Sequence, residues 1–201
     1  KAAKGDIITR MDAHAIPASD YIERSVKSLK AGLGANVGGV IDVKPGADTW
    51  IARGISIAVA HPLGVGDAKY RWTTKAEEAD TVAFGTYYKS KAVEIGLYNE
   101  ELRINEDYEV NSRLRASGGN IWIDPQIRAI YYSRSTLSSL AKQYFSYGFW
   151  KFRMLRKNPT TLRWRQAIPP LFVFGILMLL LSSGFLVVSR ILLAVALGTY
   201  L

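Results

Sequence analysis

The sequence predicts a mixed α/β domain that passes into membrane-embedded helices. Apolar β-like runs alternate with amphipathic helical stretches through roughly the first 130 residues. Residues 168–189 (IPPLFVFGILMLLLSSGFLVVS) then run for 22 positions without a charge. The third observation is charge placement: the last acidic residue is Asp124, and residues 125–201 carry ten Lys and Arg and no Asp or Glu. The net charge of +9 therefore belongs to the tail, because the first 124 residues hold 16 basic against 17 acidic side chains. A generally basic nucleic-acid-binding domain is excluded on that ground. Disorder is excluded by a 49% hydrophobic content. With no cysteine, disulfide frameworks, thiolate catalysis and cysteine-ligated metals are excluded too.

The elements follow in order. Residues 6–11 (DIITRM) read as a buried strand, and residues 17–31 as a helix opened by Pro17 and closed by Gly32 and Gly34. Residues 37–43 are β-like, 47–60 helical, and 61–74 a loop rich in glycine and aromatics. Residues 81–84 form a short strand, 89–95 a short helix ended by Gly96, and 105–116 a clear helix ended by Ser117-Gly118-Gly119. Residues 121–123 and 127–132 are two strands around a turn at Asp124-Pro125. These strands are fewer than a stable sheet wants, and the chain begins without Met and ends inside an apolar run, so it reads as a piece of a longer protein.

A helix over 168–189 is about 33 Å long at 1.5 Å per residue, enough for a hydrocarbon core of about 30 Å. That predicts one full span, with Pro169 and Pro170 in its first turn. The apolar residues 191–201 are too few to cross and read as the start of a second span. Just before, residues 143–165 interleave rings (Tyr144, Phe145, Tyr147, Phe149, Trp150, Phe152, Trp164) with cations (Lys151, Arg153, Arg156, Lys157, Arg163, Arg165). That mixture suits the lipid headgroup layer and places the preceding domain on the cytoplasmic side of the inner membrane.

Two constellations can carry chemistry. In Asp12-Ala13-His14 an extended backbone would point residues i and i+2 the same way, so that carboxylate and imidazole converge on one divalent cation, Mn²⁺ or Mg²⁺. The same tripeptide also reads as a polar turn at a strand end. Asn105-Glu106-Asp107 opens a helix, where an Asn N-cap and first-turn acids are favoured for structural reasons alone. Asp107 nevertheless heads the stripe Asp107, Val110, Leu114 that faces the core, so it borders a cleft as a general base. Glu106 points elsewhere, to hold structure or bind acceptor.

Asp12-Ala13-His14, Phe84-Gly85, Gly96-Leu97-Tyr98-Asn99-Glu100, Asn105-Glu106-Asp107-Tyr108-Glu109, Arg113 and Gly118-Gly119 stand in an order that resembles family 2 glycosyltransferases. The likeness is to bacterial membrane-bound exopolysaccharide glycosyltransferases of the succinoglycan type. Val37-Gly38-Gly39-Val40, Pro62-Leu63-Gly64-Val65-Gly66, Tyr131 to Leu137 and Gln143-Tyr144-Phe145 extend it over the whole chain. The resemblance implies a partial GT-A fold over residues 1–135, an interfacial helical segment over 136–166 and a transmembrane region over 167–201. It implies a nucleotide-sugar donor, a lipid-linked or saccharide acceptor, and inversion at the anomeric carbon. Asp12 and His14 would hold the metal against the donor diphosphate, Asp107 would deprotonate the acceptor, and Glu106 would stand beside it.

One motif departs from the family. Where some members carry Q-x-x-R-W, Gln143 is followed by Ser146 and Tyr147 in the Arg and Trp positions, so the diphosphate clamp of that motif is missing. The resemblance also places the nucleotide-base-binding βαβ half upstream of Lys1. His61 reads as a surface or capping residue, Trp122 as core, and Gly64, Gly66, Tyr70, Arg71 and Trp72 as a loop that either closes over sugar or simply lies on the surface. Two rivals stay open: a noncatalytic membrane-anchored saccharide- or lipid-binding module, and a two-carboxylate glycoside hydrolase.

Overall fold

The computed structural model describes residues 2–65, 68–159, 162 and 164–200, in two compact units, Lys1–Thr161 and Leu162–Leu201. Unit one is built on strands β1 (Ile7–Thr9), β2 (Ala15–Pro17), β3 (Asn36–Lys44), β4 (Glu77–Ala79), β5 (Ala83–Tyr88) and β6 (Ile121–Tyr132). Its helices are α1 (Tyr21–Lys30), α2 (Trp50–Ala58), α3 (Pro62–Val65), α4 (Lys89–Glu94), α5 (Glu106–Ala116) and α6 (Leu137–Lys157), with a 3₁₀ turn at Lys69–Arg71. The six strands form one sheet in the order β1-β5-β3-β6-β2, and β4 pairs with β6 as well. Among the described residues only β3 and β6 run parallel; the other pairings are antiparallel.

The sheet differs from the sequence expectation for three local reasons. Residues 121–132 form one strand rather than two, because Pro125 falls in a bulge: Gly39 pairs with Asp124 and Val40 already with Arg128. Gly39 permits that bulge, since a Cβ there would lie 1.7 Å from the Ile127 carbonyl oxygen. Pro17 ends the edge strand β2 instead of opening a helix, and α1 starts at Tyr21 behind Asp20, which pairs with Arg24 at 2.5 Å. β4, Glu-Glu-Ala, has no apolar alternation to reveal it. β1 is an edge strand and only half-buried.

The core gathers Tyr21 and Leu29 of α1 with Val37, Ile41, Phe84, Ile127 and Ala129 of the sheet. A second cluster joins Leu114 of α5 to Val82, Ile121 and Ile123. α6 packs through Met154, 1% exposed, on Leu102 and Tyr108, with Trp150 alongside. His61 is exposed and Trp122 half-buried.

Unit two corrects the expected span. Its helices are α7 (Trp164–Ser182) and α8 (Val187–Tyr200), packed on each other, so the helix expected over 168–189 is interrupted at 183–186. Ser182 Oγ and Ser183 Oγ turn back onto the carbonyls of Met178 (2.8 Å) and Leu180 (2.7 Å), Gly184 follows, and Arg190 Nε donates to the freed Ser183 carbonyl at 2.7 Å. Among the described residues, no helix is long and apolar enough to cross a membrane. Pro169 and Pro170 lie inside α7 rather than in its first turn. Leu201 of the second apolar run, Arg163 of the basic collar and Gly66 of the glycine loop lie outside the described residues.

Candidate functional site

The residues singled out near positions 12 and 107 meet at Arg10. β1 is hydrogen-bonded to β5, and the Arg10 backbone N–H continues that pairing to the Gly85 carbonyl at 3.0 Å. This delivers the Arg10 guanidinium to the N-terminus of α5. There Arg10 lies 2.8 Å from Asp12, 2.7 Å from Glu106 and 3.6 Å from Asp107. Three carboxylates on one cation leave a local surplus of two negative charges. Contrary to the sequence reading, Glu106 turns toward the same centre as Asp107. Asn105 sits at the N-cap position in the left-handed region (φ 65°) with no side-chain cap; its amide donates instead to the Tyr147 carbonyl at 3.3 Å.

α5 is fixed from below. Asn36 of β3 donates to Asn111 at 2.7 Å, and Asn111 donates to Thr81 at 2.8 Å, a buried chain that ties the helix to the sheet. Glu109, 2% exposed, takes both Nε and Nη2 of Arg113 at 2.7 Å, and Arg113 reaches on to the carbonyls of Ile95 and Leu97. The 95–98 loop is thereby held against α5, with Tyr98 accepting a hydrogen bond from Tyr87 at 3.1 Å.

The electrostatics follow from this packing. Burial raises the Asp107 carboxyl above the usual aspartate range; Arg10 and the Tyr108 N–H, which donates to Asp107 Oδ1 at 2.7 Å, pull the other way without prevailing. Glu106 is raised as well, by burial first and then by Asp107. Burial opposes the charge on Arg10, but Asp107, Asp12 and Glu106 outweigh it and its pKa is raised. A carboxylate made more basic than usual is suited to take a proton.

Asp12 and His14 are joined by a turn at Ala13-His14, closed by the Ala15 N–H on the Asp12 carbonyl at 3.1 Å, and not by the expected extended backbone. His14 is exposed and sets its ring edgewise on Tyr131, with centroids 5.2 Å apart. Among the described residues no group of three or more His, Asp or Glu is placed to hold a metal ion. Carboxylate and imidazole are donor types that a divalent cation accepts, and here the Asp12 carboxylate pairs with Arg10 while the His14 ring lies on Tyr131. Arg10 is the residue that sequence reasoning missed. Its signal was its position two before Asp12, on the same face of the chain at strand spacing.

No protein-family model matches the sequence. Curated relatives do. The chain is 30% identical over 190 residues to the Methanococcus voltae dolichyl N-acetyl-alpha-D-glucosaminyl phosphate 3-beta-D-2,3-diacetamido-2,3-dideoxy-beta-D-glucuronosyltransferase, which covers 90% of this chain and 56% of that protein. It is 29% identical over 167 residues to the succinoglycan biosynthesis protein ExoA of Rhizobium meliloti (strain 1021), covering 83% of this chain and 50% of that one. The chain thus spans about half the length of the curated relatives it matches. A solved structure of GalNAc-T7 with UDP, GalNAc and Mn²⁺ overlays with a TM-score of 0.45 at 17% identity, over 65% of this chain and 28% of that one, a likeness too slight to assign donor or metal.

Proposed function

We propose that this chain, which resembles family 2 glycosyltransferases over most of its length, forms part of an inverting, metal-dependent enzyme. Its substrates are a nucleotide-sugar donor and a lipid-linked or saccharide acceptor, and its setting is extracellular polysaccharide synthesis. The observation that carries the reading is the convergence of Asp12, Glu106 and Asp107 on Arg10, in a chain related to two curated proteins of glycan synthesis.

In this mechanism Asp107 accepts the proton of the acceptor hydroxyl as its oxygen bonds to the anomeric carbon. The bond from that carbon to the donor diphosphate breaks on the opposite face, which inverts the centre. Asp12 and His14 would hold a divalent cation, whose chemistry is to neutralise charge on the departing diphosphate. Arg10 keeps Glu106 and Asp107 at a fixed separation and holds Asp107 below the basicity it would reach alone. Glu106, held by Arg10, would hydrogen-bond the acceptor.

The apolar hairpin of unit two supports contact with a membrane, and the basic collar of residues 143–165 favours the cytoplasmic side of the inner membrane for the α/β unit. The hairpin's large side chains are solvent-accessible, Leu171 at 66%, Leu181 at 67% and Phe185 at 90%, a surface that lipid would cover.

The test is transfer from radiolabelled nucleotide sugars by the full-length protein in native membranes. Asp107→Asn is expected to lower turnover about 10²–10⁴-fold, the usual contribution of a positioned base, while the protein stays folded. Retained turnover removes Asp107 as the base, and activity that survives chelation removes the cation.

A further inference from the structure

Between α4 and α5 the backbone turns through two successive left-handed residues, Gly96 (φ 89°) and Leu97 (φ 60°). Glycine adopts that conformation freely, whereas a leucine is strained there and keeps it only where its surroundings over-determine the backbone. Three hydrogen bonds supply that constraint. The Leu97 N–H closes on the Ala92 carbonyl at 2.7 Å, and Arg113 of α5 donates to the carbonyls on both sides of Gly96, those of Ile95 and Leu97, the latter at 2.6 Å. Arg113 is fixed in turn by its fork on the buried Glu109. The side chain that this strained turn delivers is Tyr98.

Tyr98 is brought to the carboxylate centre. In the β1–β5 ladder Ile8 stands opposite Tyr87, and the Arg10 N–H continues the register to Gly85, so Arg10 and Tyr87 leave the same face of the sheet. On that face the Tyr87 hydroxyl donates to the Tyr98 hydroxyl at 3.1 Å. Burial, helped by the bond to Tyr87, raises the Tyr98 phenol above the usual tyrosine range, and Arg10 and Asp107 act on it in opposite directions, so the ring lies within the field of both. The phenol therefore keeps its own proton, and among the described residues it donates that proton to none.

The centre lacks a donor of this kind. Ionised Asp12, Glu106 and Asp107 only accept hydrogen bonds, and Arg10 is already shared among them. A sugar hydroxyl both donates and accepts, so the carboxylates meet its O–H and leave its oxygen lone pairs unmet. We propose that the Tyr98 O–H donates to an acceptor hydroxyl next to the reacting one, and that Arg113 is the positioning residue that sets Tyr98 in place through the Leu97 turn. The substrate contact rests on the glycosyltransfer reading; the Arg113 clasp does not.

The test is a double-mutant cycle in the full-length protein. It is read as transfer from a panel of radiolabelled nucleotide sugars in native membranes, and as hydrogen exchange of the 95–98 backbone amides in detergent. Tyr98→Phe removes only the hydroxyl and should lower transfer about 10–100-fold, the scale of a substrate group left without its partner. Arg113→Lys keeps a cation beside Glu109 but lacks the fork that reaches a carboxylate and two carbonyls together, so it should lower transfer comparably and speed exchange of the Leu97 amide about 10-fold or more. The double variant should match the more impaired single variant to within about 2-fold, because Arg113 acts through Tyr98. Losses that multiply, wild-type transfer in Tyr98→Phe, or unchanged exchange in Arg113→Lys overturn the proposal. If Arg113→Lys does not fold, Tyr98→Phe decides the substrate contact alone. Absence of transfer by the wild type removes the glycosyltransfer reading and the substrate contact with it, while the exchange measurement still decides the clasp.

Discussion

Arg10 shows how one residue sets the chemistry of its neighbours. Burial raises Asp107 and Arg10 lowers it, so the two effects oppose each other in the folded protein. A base works only when deprotonated, and its rate falls as pH drops through its pKa. Arg10→Gln removes the lowering influence, so the acid limb of kcat/KM should move to higher pH while the rate above it recovers. A pH–rate profile of the full-length enzyme checks this; a limb that stays where it was makes Arg10 a purely structural residue. Gly39 is decisive in a different way. A methyl group there would stand 1.7 Å from the Ile127 carbonyl oxygen, which is backbone and cannot yield, so Gly39→Ala should cost at least the about 1–3 kcal/mol typical of overpacking and lower the melting temperature. A melting temperature equal to wild type would mean that the β3–β6 bulge reforms elsewhere.

Elements with strong internal signals were legible in the sequence, and those defined by their partners were not. α2, α4 and α5 fall within the stretches where the local pattern placed them, because that cue is local, although Asn105 does not cap α5 with its side chain. β2 and β4 are three residues each and exist only because β6 offers its edge, so nothing in Ala-Ile-Pro or Glu-Glu-Ala announces them. β6 was split at Asp124-Pro125 since proline normally ends a central strand, and only pairing with Gly39 shows the bulge that admits it. α6 adds a prediction at this scale. Lys151 lies 4.1 Å from the centroid of the Tyr108 ring, and burial lowers its pKa from 10.5 to about 8. Between pH 8 and 10.5 the unfolded chain therefore holds a proton that the folded chain has released, and stability rises with pH across that window. Below pH 8 both forms are charged and the folded one carries the full burial penalty. Lys151→Met should flatten this rise, seen as a melting-temperature difference from wild type that changes sign or shrinks between pH 7.5 and 10; parallel curves would contradict it.

At the scale of the molecule, sequence could name both acidic elements but not the residue that joins them. Asp12 and Asp107 stand 95 positions apart, and their meeting depends on β1 taking the edge beside β5 while Asn36, Asn111 and Thr81 pin α5 to the same sheet. Such long-range placement leaves no trace in composition or periodicity. The tail shows the converse error, since hydropathy alone runs through 168–189 and misses the break that Ser182, Ser183, Gly184 and Arg190 build together. The paired helices still present an apolar exterior, and a lipid contact for it can be tested without assuming that either helix crosses the bilayer. Leu177 and Leu181 are 50% and 67% exposed on α7, so lysines there disturb no packing against α8 that burial would reveal. If these positions lie in hydrocarbon, each charge costs about 2.5–3.5 kcal/mol at depth, and Leu177→Lys with Leu181→Lys should release the full-length protein from liposomes in a flotation assay. Undiminished flotation of the double variant would show that this face of the hairpin meets something other than lipid, and the inner-membrane location would lose its support from unit two.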